Sequence, residues 1–492
     1  MKRIISLLLV IVMCLSFVAC GDDAEVTTAV NAGGVETTDD GAEKPDIPLT
    51  YDYDGYEFNF LTAGNGENRE LGYEEESSIP LDNAQYKRKM KMEQDYNITI
   101  EEECENAYSS GGGPGFKKIS NQVNSGDYTY DLALIAGYDV SVLAYSGYLY
   151  DMASIPTINL EKSWWDQNAT NSLTVKDVTF FTTGDLTTTD NRFAYALMFN
   201  KTMLSDYNLE SPYDIVYNGE WTFEKFGEMV KAVSEDLNQD GEFNEKDRFG
   251  LLVWDDSIVG VVNAAGERCC TINDEGVIEL TFYNENTLSA LEQYAEIAYN
   301  EQTALHWQRI GGSLGNTGST MWVADQALFN ATLVGGVISS REMESDFGVL
   351  PYPKLSVQQE NYYSTVAAYN TPYVCVPLIQ EDIERTGTIT EALAYHGQKI
   401  VLPALYDVAL IGQGTRDEDS EGMLDIIFDN LVYDIGYIYQ IGPYNKQLIV
   451  YLRDRNENFT SMYDTYKPSA NAMLKLINQA YDKAVADWQT AE

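Results

Sequence analysis

Short, continuous apolar runs alternate with amphipathic stretches along most of this 492-residue chain. Asp131-Leu-Ala-Leu-Ile-Ala136 is one such run, and Phe347-Gly-Val-Leu350 is another. A strand that is buried on both faces of a parallel sheet has this pattern. Between these runs, residues 222–233 place their large apolar side chains on one helical face, and Thr222 is a favourable N-cap. Because strands that alternate with helices form layered sheets, the sequence predicts an α/β fold.

The same patterns predict further elements of both kinds. Alternating or continuous apolar residues indicate strands at 56–62, 96–100, 179–183 and 249–253. Apolar residues at helical spacing indicate helices at 83–95, 288–299 and 473–488.

The charge of the chain narrows the classes of partner. The sequence has 77 Asp and Glu against 31 Lys and Arg, a formal net charge of −46. So negative a surface repels phosphate backbones, and we expect no nucleic-acid partner. The two histidines, His306 and His396, are too few for a three-histidine zinc site or an H-E-x-x-H protease. The sequence contains 35 tyrosines. Each tyrosine ring offers a flat apolar face and a polar hydroxyl group, a combination suited to ligand binding.

The N-terminus resembles the signal of a bacterial lipoprotein. Two basic residues precede the apolar residues 4–17, a stretch with the length of a secretion signal and too short to span a membrane. Val18-Ala-Cys20-Gly21 resembles a lipobox, which implies that residues 1–19 are removed and that Cys20 carries a lipid such as palmitate. An ordinary secretory signal with a chance cysteine is the alternative. We expect the protein on the outer face of the cytoplasmic membrane, lipid-anchored and extracellular or periplasmic.

Residues 20–49 contain Asp, Glu, Thr, Gly and Ala with almost no large apolar side chain. This composition cannot bury a core and predicts a flexible tether. The cysteines beyond the tether are too few for a disulfide framework, and the adjacent pair is expected to be buried rather than redox-active. They are Cys104, Cys269, Cys270 and Cys375.

Residues 236–247 have the spacing of a calcium-binding loop. Oxygen-bearing side chains stand at positions 1, 3, 5 and 12, glycine at position 6 allows the sharp turn, and position 7 contributes a backbone carbonyl. The candidate ligands are Asp236, Asn238, Asp240, Glu242 and Asp247. Aspartate at position 12 resembles the dockerin form of the loop, so we expect a structural Ca²⁺ rather than a switch. A solvated acidic turn without metal is the alternative.

Gly311-Gly-Ser313-Leu-Gly315 fits the G-x-S-x-G pattern of serine hydrolases. A nucleophile elbow needs a strand before the serine and a helix after it, whereas this segment continues into a Gly/Ser-rich stretch. We therefore interpret it as a flexible loop. The protein is expected not to be an enzyme and to need no cofactor, with a secreted hydrolase of glycans or esters as the alternative.

Trp254-Asp255-Asp256 directly follows the apolar run 249–253. Ligands of open α/β sheets bind beyond the carboxyl ends of the strands, so this trio is well placed for binding. An aromatic face beside planar polar groups is typical of sugar recognition. Tryptophans in the segments 164–166, 306–307 and 321–322 are less well placed, and core packing is the alternative for each of them.

Several segments of this chain have the sequence features of one known family. The most characteristic of them is Trp221-Thr-Phe-Glu-Lys-Phe226, a helix start that follows Asn200-Lys201. The others are residues 130–134, 147–151, 196–201, 249–251, 327–329 and 347–353. Together these segments resemble the family 1 extracellular solute-binding proteins of carbohydrate ABC importers, the superfamily of maltose-binding protein. The likeness covers about residues 55–490.

The resemblance implies a type II periplasmic-binding-protein-like fold, with two α/β lobes joined by a multi-strand hinge. Lobe 1 would take residues 50–194 and 368–405, and lobe 2 residues 198–365 and 412–492. It also implies a monomer that closes around an oligosaccharide and delivers it to the membrane subunits of an ABC permease. A peptide or another solute is the alternative ligand.

By the same resemblance the ligand lies in the cleft between the lobes. Residues in loops that follow strands are carried over by their position in this sequence. The candidate ligand-binding residues are Asn65, Glu67, Asn68, Tyr138, Asp185, Trp254, Asp255 and Arg341.

Overall fold

The computed structural model describes residues 43–64, 69–309, 317–340, 343–411 and 418–489. The predicted signal peptide, Cys20 and most of the predicted tether lie outside the described residues. No described helix is both long enough and apolar enough to cross a membrane.

The strands and helices alternate along the chain, as the apolar pattern predicts. The strands are β1 (Tyr56–Ala63), β2 (Ile98–Glu105), β3 (Leu132–Ala136), β4 (Tyr195–Asn200), β5 (Ser234–Glu235), β6 (Arg248–Val253), β7 (Cys270–Ile272), β8 (Ile278–Leu280), β9 (Ala304–His306), β10 (Ala327–Leu333), β11 (Phe347–Leu350), β12 (Ser364–Thr365), β13 (Pro372–Cys375) and β14 (Leu431–Val432).

The helices cover the faces of the sheets. They are α1 (Pro80–Tyr96), α2 (Pro114–Ser125), α3 (Gly137–Tyr145), α4 (Gln167–Leu173), α5 (Thr189–Arg192), α6 (Lys201–Asp206), α7 (Pro212–Tyr217), α8 (Phe223–Lys231), α9 (Ser257–Ala264), α10 (Glu285–Ala298), α11 (Thr317–Val323), α12 (Gly336–Ser339), α13 (Ile383–His396), α14 (Leu402–Ile411), α15 (Glu418–Asp429), α16 (Ile435–Ile438), α17 (Tyr444–Arg453) and α18 (Phe459–Gln489). Met152–Ser154 and Trp307–Arg309 are short 3-10 turns, and Gly397–Val401 is a π-helical turn.

The first sheet has the strand order β13-β3-β1-β2. Strands β1, β2 and β3 are parallel, and β13 is antiparallel to β3. Every residue of β3 is buried, as the continuous apolar run predicts.

The second sheet has the order β11-β4-β10-β6-β5, and β9 also pairs with β6. Strands β6, β9 and β10 are parallel, so their carboxyl ends meet at one edge of this sheet. Strand β4 is antiparallel to both of its neighbours.

Three chain segments lie side by side between the two sheets. Strand β12 pairs in parallel with β14, Val366 donates its N–H to the carbonyl of Val432 at 3.0 Å, and Ala194 bridges to Val366. The α/β prediction is thus confirmed, and the two sheets with their connecting segments form the two-lobed type II arrangement. The first sheet uses strands from 56–136 and 372–375, and the second from 195–350. The lobe boundaries themselves stay a prediction.

Local differences from the sequence prediction have clear causes. Helix α8 begins after Thr222, whose side chain accepts from Lys225 N–H at 3.3 Å, as predicted. The strand predicted to start at Tyr96 was wrong there, because α1 continues to Tyr96 and ends at Asn97, whose φ of 46° is left-handed. The predicted strand 179–183 was also wrong. It forms only the isolated bridge from Thr182 to Val374.

Candidate ligand-binding site

Two tryptophans stand at matching positions beyond neighbouring strands. In the register of β6 and β9, Val253 is paired with His306. The next residues, Trp254 and Trp307, therefore leave the same sheet edge side by side. Both indoles line one cavity of about 310 Å³. The cavity is also lined by Arg192, Phe193, Gly318, Ser319, Asn330, Ala331, Thr332, Leu333, Gly335 and Gly336.

Both indole rings are held by close packing. Trp254 stacks on Tyr195 with ring centroids 5.6 Å apart and planes 28° apart. Gly318 lies against Trp307 so closely that a Cβ there would be 2.7 Å from the indole Nε1. Since the rings are fixed before any ligand arrives, binding would cost little side-chain ordering.

The polar groups of the cavity are amide, hydroxyl and guanidinium. Asn330 and Thr332 come from β10, Ser319 from α11, and Arg192 from the segment that leads from the first sheet to β4. No Asp or Glu is among the described residues that line this cavity. Aromatic faces with a few polar side chains are the composition of a small-molecule site.

Asp255 holds the strand ends together instead of lining the cavity. Its carboxylate is buried, accepts from His306 Nε2 at 2.8 Å, and forms an ion pair with Arg453. These contacts join the ends of β6 and β9 to α17. The predicted residue Asp255 therefore positions Trp254 and Trp307.

The predicted residue Tyr138 lines a narrow space together with Tyr195, the tyrosine that stacks on Trp254. It is buried at the start of α3 and forms ring contacts with Tyr108 at 6.0 Å and Tyr369 at 6.5 Å. Asn445 of α17 donates to its hydroxyl group. The structure thus brings the first sheet and the C-terminal helices together at this tyrosine.

Asp256 faces this group of tyrosines. With Tyr138, Tyr195 and Tyr369 it lines a narrow space beside Asn445. Burial raises the pKa of Asp256 to about 6. A partly protonated carboxyl group at this place can donate as well as accept a hydrogen bond.

The structure does not bring Asp185 to the site. Its backbone carbonyl lies next to Gly397, and its carboxyl group interacts with Gln398 in the π-helical turn. Burial raises the pKa of Asp185 to about 7. Its nomination depended on the predicted strand 179–183, which does not form.

Replacement of Asp185 by asparagine should stabilise the protein at pH 8 and not at pH 4. The folded-state pKa of about 7 exceeds the ordinary value of 3.8, so stability is fully present below pH 3.8 and is lost as pH rises through 7. At pH 8 the variant escapes this cost, and we expect a gain of about 1 to 3 kcal/mol. Thermal unfolding of both proteins at both pH values measures it. An equal gain at pH 4 would contradict the burial argument.

Other candidates from the sequence fall outside the described residues. Asn65, Glu67, Asn68 and Arg341 are among them, as is the segment 311–315.

Both histidines lie in the described part of the chain. Burial lowers the pKa of His396 to about 4. Burial and the charges of Arg309 and Arg455 lower the pKa of His306 to about 4. Cys269, Cys270 and Cys375 are buried thiols.

The predicted calcium loop, residues 236–247, is a turn held by its own polar groups. Asp236 Oδ2 accepts from Gly241 N–H at 2.8 Å. Asp247 is buried, and its carboxylate accepts two backbone N–H groups of the loop at 2.9 and 3.0 Å. Asn238, Asp240 and Glu242 are exposed. Within the described part of the chain, no three Asp, Glu, His or Cys side chains are grouped so as to hold a metal ion. Calcium binding stays a prediction.

Sequence reasoning did not nominate Trp307 and Arg192, which line the cavity, or Asp256, which lines the neighbouring narrow space. Trp307 has the same signal as Trp254, a tryptophan directly after a strand, but the three-residue β9 is too short to stand out. Asp256 was noted beside Trp254, and only the chain turn into α9 shows which carboxyl group faces the tyrosines. Arg192 carries no local signal.

Comparison with known proteins establishes the family of the chain. The family profile described as bacterial extracellular solute-binding protein matches residues 78–374, more than half of the chain. The chain belongs to this family. A search of curated proteins finds no match.

Solved structures of solute-binding proteins have the same fold. An ABC substrate-binding protein of Listeria monocytogenes in complex with cycloalternan has a TM-score of 0.55 at 12% identity, covering 85% of this chain and 99% of that one. The GacH receptor of Streptomyces glaucescens, solved unliganded and with acarbose, has a TM-score of 0.53 at 10% identity, with 86% and 98% covered. A cyclo/maltodextrin-binding protein complexed with maltotetraose has a TM-score of 0.54 at 12% identity, with 87% and 98% covered.

At these identities the structural likeness establishes the fold, and the profile establishes the family. The protein is therefore a member of the bacterial extracellular solute-binding proteins. Members of this family are substrate-binding proteins rather than enzymes.

Proposed function

We propose that this solute-binding protein captures an oligosaccharide in the Trp254–Trp307 cavity and delivers it to the membrane subunits of an ABC permease. The observation that carries the proposal is the pair of fixed indoles at matching strand ends. Sugar rings present flat C–H surfaces to aromatic faces, and their hydroxyl groups pair with planar amide and guanidinium groups.

The neighbours of the fold support a carbohydrate ligand. The solved complexes named above contain cycloalternan, acarbose and maltotetraose. The cavity of about 310 Å³ is at the small end of the range for ligand pockets, so we propose that it receives one or two sugar units of a longer ligand.

Hinge closure would complete the site. The three segments between the sheets include residues 192–194, which lead from Arg192 and Phe193 into β4 at Tyr195. Rotation about such segments moves one lobe against the other while each lobe stays rigid. We propose that closure shields the sugar from water and presents the closed surface to the permease.

The N-terminus would supply the anchor. We propose that the lipid on Cys20 and the acidic tether hold the monomeric protein on the outer face of the cytoplasmic membrane. Mass spectrometry of the membrane fraction tests this, since Cys20→Ser should remove the acyl mass.

A screen with a glycan panel tests the function. Thermal unfolding and calorimetry should find at least one oligosaccharide that raises Tm, as ligands of the folded state do. Chromatography should recover that oligosaccharide unchanged. New reducing ends would support a hydrolase instead. Stabilisation by peptides alone would point to a different solute class.

We also propose that residues 236–247 bind a structural Ca²⁺ through the predicted oxygen ligands, with no part in sugar binding. The loop spacing supports this, and Asp247 anchors the turn. Calorimetric titration to millimolar Ca²⁺ with no heat of binding would refute it.

A further inference from the structure

Arg192 supplies a cationic side chain to the proposed sugar cavity. It lines the cavity with Trp254 and Trp307, and its Nε is buried with no hydrogen-bond partner. None of the described residues forms a hydrogen bond or ion pair with its guanidinium group. Its side chain contacts the ring of Phe193, with the guanidinium carbon 5.7 Å from the centroid.

Other arginines of the fold have acceptors. Arg88 donates to the carbonyls of Leu186 at 2.6 Å and Glu70 at 3.0 Å, and Arg455 pairs with Glu301 at 2.7 Å. Arg192 is half-buried, and only its Nε is fully buried without an acceptor. The guanidinium group is therefore open to an acceptor that a ligand in the cavity would supply.

One buried carboxyl group that senses the charge of Arg192 already has other partners. The charge of Arg192 acts on the buried carboxyl group of Glu70. Glu70, however, lies 3.6 Å from Arg88 and accepts from Gln85 at 2.6 Å and Thr188 at 3.0 Å. Since Glu70 already has these partners and no ion pair joins it to Arg192, the positive charge of Arg192 remains available to a ligand.

The lining of the cavity is unusual for this chain. The sequence contains 77 acidic residues, yet no Asp or Glu is among the described residues that line the cavity. The net charge of −46 repels anions at long range, but salt screens that repulsion over about 8 Å at physiological ionic strength. Inside the cavity, Arg192 is the charged residue among the described lining residues, so its positive charge favours an anionic group on the ligand.

We infer that the oligosaccharide is acidic, with a uronate carboxylate that binds Arg192 while its sugar rings lie against Trp254 and Trp307. The planar guanidinium group matches a carboxylate with two parallel N–H···O bonds. This inference rests on the proposed function and specifies its ligand class.

Matched pairs of oligosaccharides test it. Trimers of galacturonate, glucuronate and mannuronate are compared by calorimetry with their carboxyl-reduced, neutral counterparts. We expect the acidic member of at least one pair to bind about 10- to 100-fold more tightly, the effect of one charge-assisted contact.

Variants assign the difference to the arginine. Arg192→Gln should abolish the preference for the acidic trimer, and Arg192→Lys should keep part of it. Arg248→Gln is the control, because Arg248 pairs with Glu235 on the surface at 2.7 Å. Unchanged Tm in each variant shows that the fold is intact.

The outcomes separate the two proposals. If neutral trimers bind as tightly as acidic ones, or if Arg192→Gln keeps the preference, the acidic ligand is refuted and sugar binding stands. If only sulfated or phosphorylated glycans bind, the carboxylate is refuted. If no saccharide of any charge binds, the proposed function itself fails.

Discussion

Alanine in place of Gly250 should destabilise the protein by about 3 kcal/mol or more, the upper range for overpacking. Gly250 lies in β6, where its N–H donates to the carbonyl of Thr303 at 2.8 Å. A Cβ at this position would overlap the carbonyl oxygen of Val230 and lie 2.6 Å from its carbonyl carbon. Because the obstacle is backbone rather than a flexible side chain, α8 or β6 must shift.

Urea unfolding measures this loss. Gly112→Ala is the matched control, since the nearest atom to its added Cβ is Ser109 Oγ at an ordinary 3.5 Å. Equal stability of the two variants would show that α8 moves away from β6 at little cost. Gly250→Ala should also weaken ligand binding, because Trp254 directly follows β6 and moves with it.

The second large effect concerns the two indoles. Trp254→Ala and Trp307→Ala should each lower affinity for the bound oligosaccharide about 30-fold, from roughly 2 kcal/mol per central aromatic contact. The double variant should lose more than about 100-fold and fall below detection by calorimetry. The reason is that, in the proposed function, both rings would contact one ligand from adjacent strand ends.

The fold of these variants must be verified. Trp254 is half-buried against Tyr195, so a modest fall in Tm is expected, whereas Tyr51→Ala serves as an aromatic control because Tyr51 is 53% exposed. Wild-type affinity in Trp254→Ala with a native Tm would remove Trp254 from the site. Wild-type affinity in Trp307→Ala with a native Tm would remove Trp307 from the site in the same way.

Local physics explains which elements were predictable. Every residue of β3 is apolar because both faces of the strand are buried, and this pattern can be read without knowledge of its partners. Thr222 caps α8 through its own side chain. In contrast, the strand prediction at 179–183 failed because only Thr182 pairs with β13, whereas the carbonyls of Thr179 and Thr183 accept from Met152 and Asp166.

The ends of elements were harder to predict. The alternation of Tyr96, Ile98 and Ile100 is typical of a strand, but Asn97 separates a helix from a strand between them. Likewise, the apolar stripe predicted a helix over 473–488, whereas α18 spans Phe459–Gln489 and includes Pro468. A stripe shows where a helix packs rather than how far it extends.

The sequence alone determined the α/β class, the family and the place of Trp254 at a strand end, because burial and capping are written into neighbouring residues. Only the tertiary structure decided that Trp307 joins Trp254, that Asp255 pairs with His306 and Arg453, and that Arg192 lines the cavity without an ion-pair partner among the described residues. Those facts depend on which strands lie side by side and which segments cross between the sheets. Residues 51 or more positions apart in the chain meet there, and no local pattern records such a meeting.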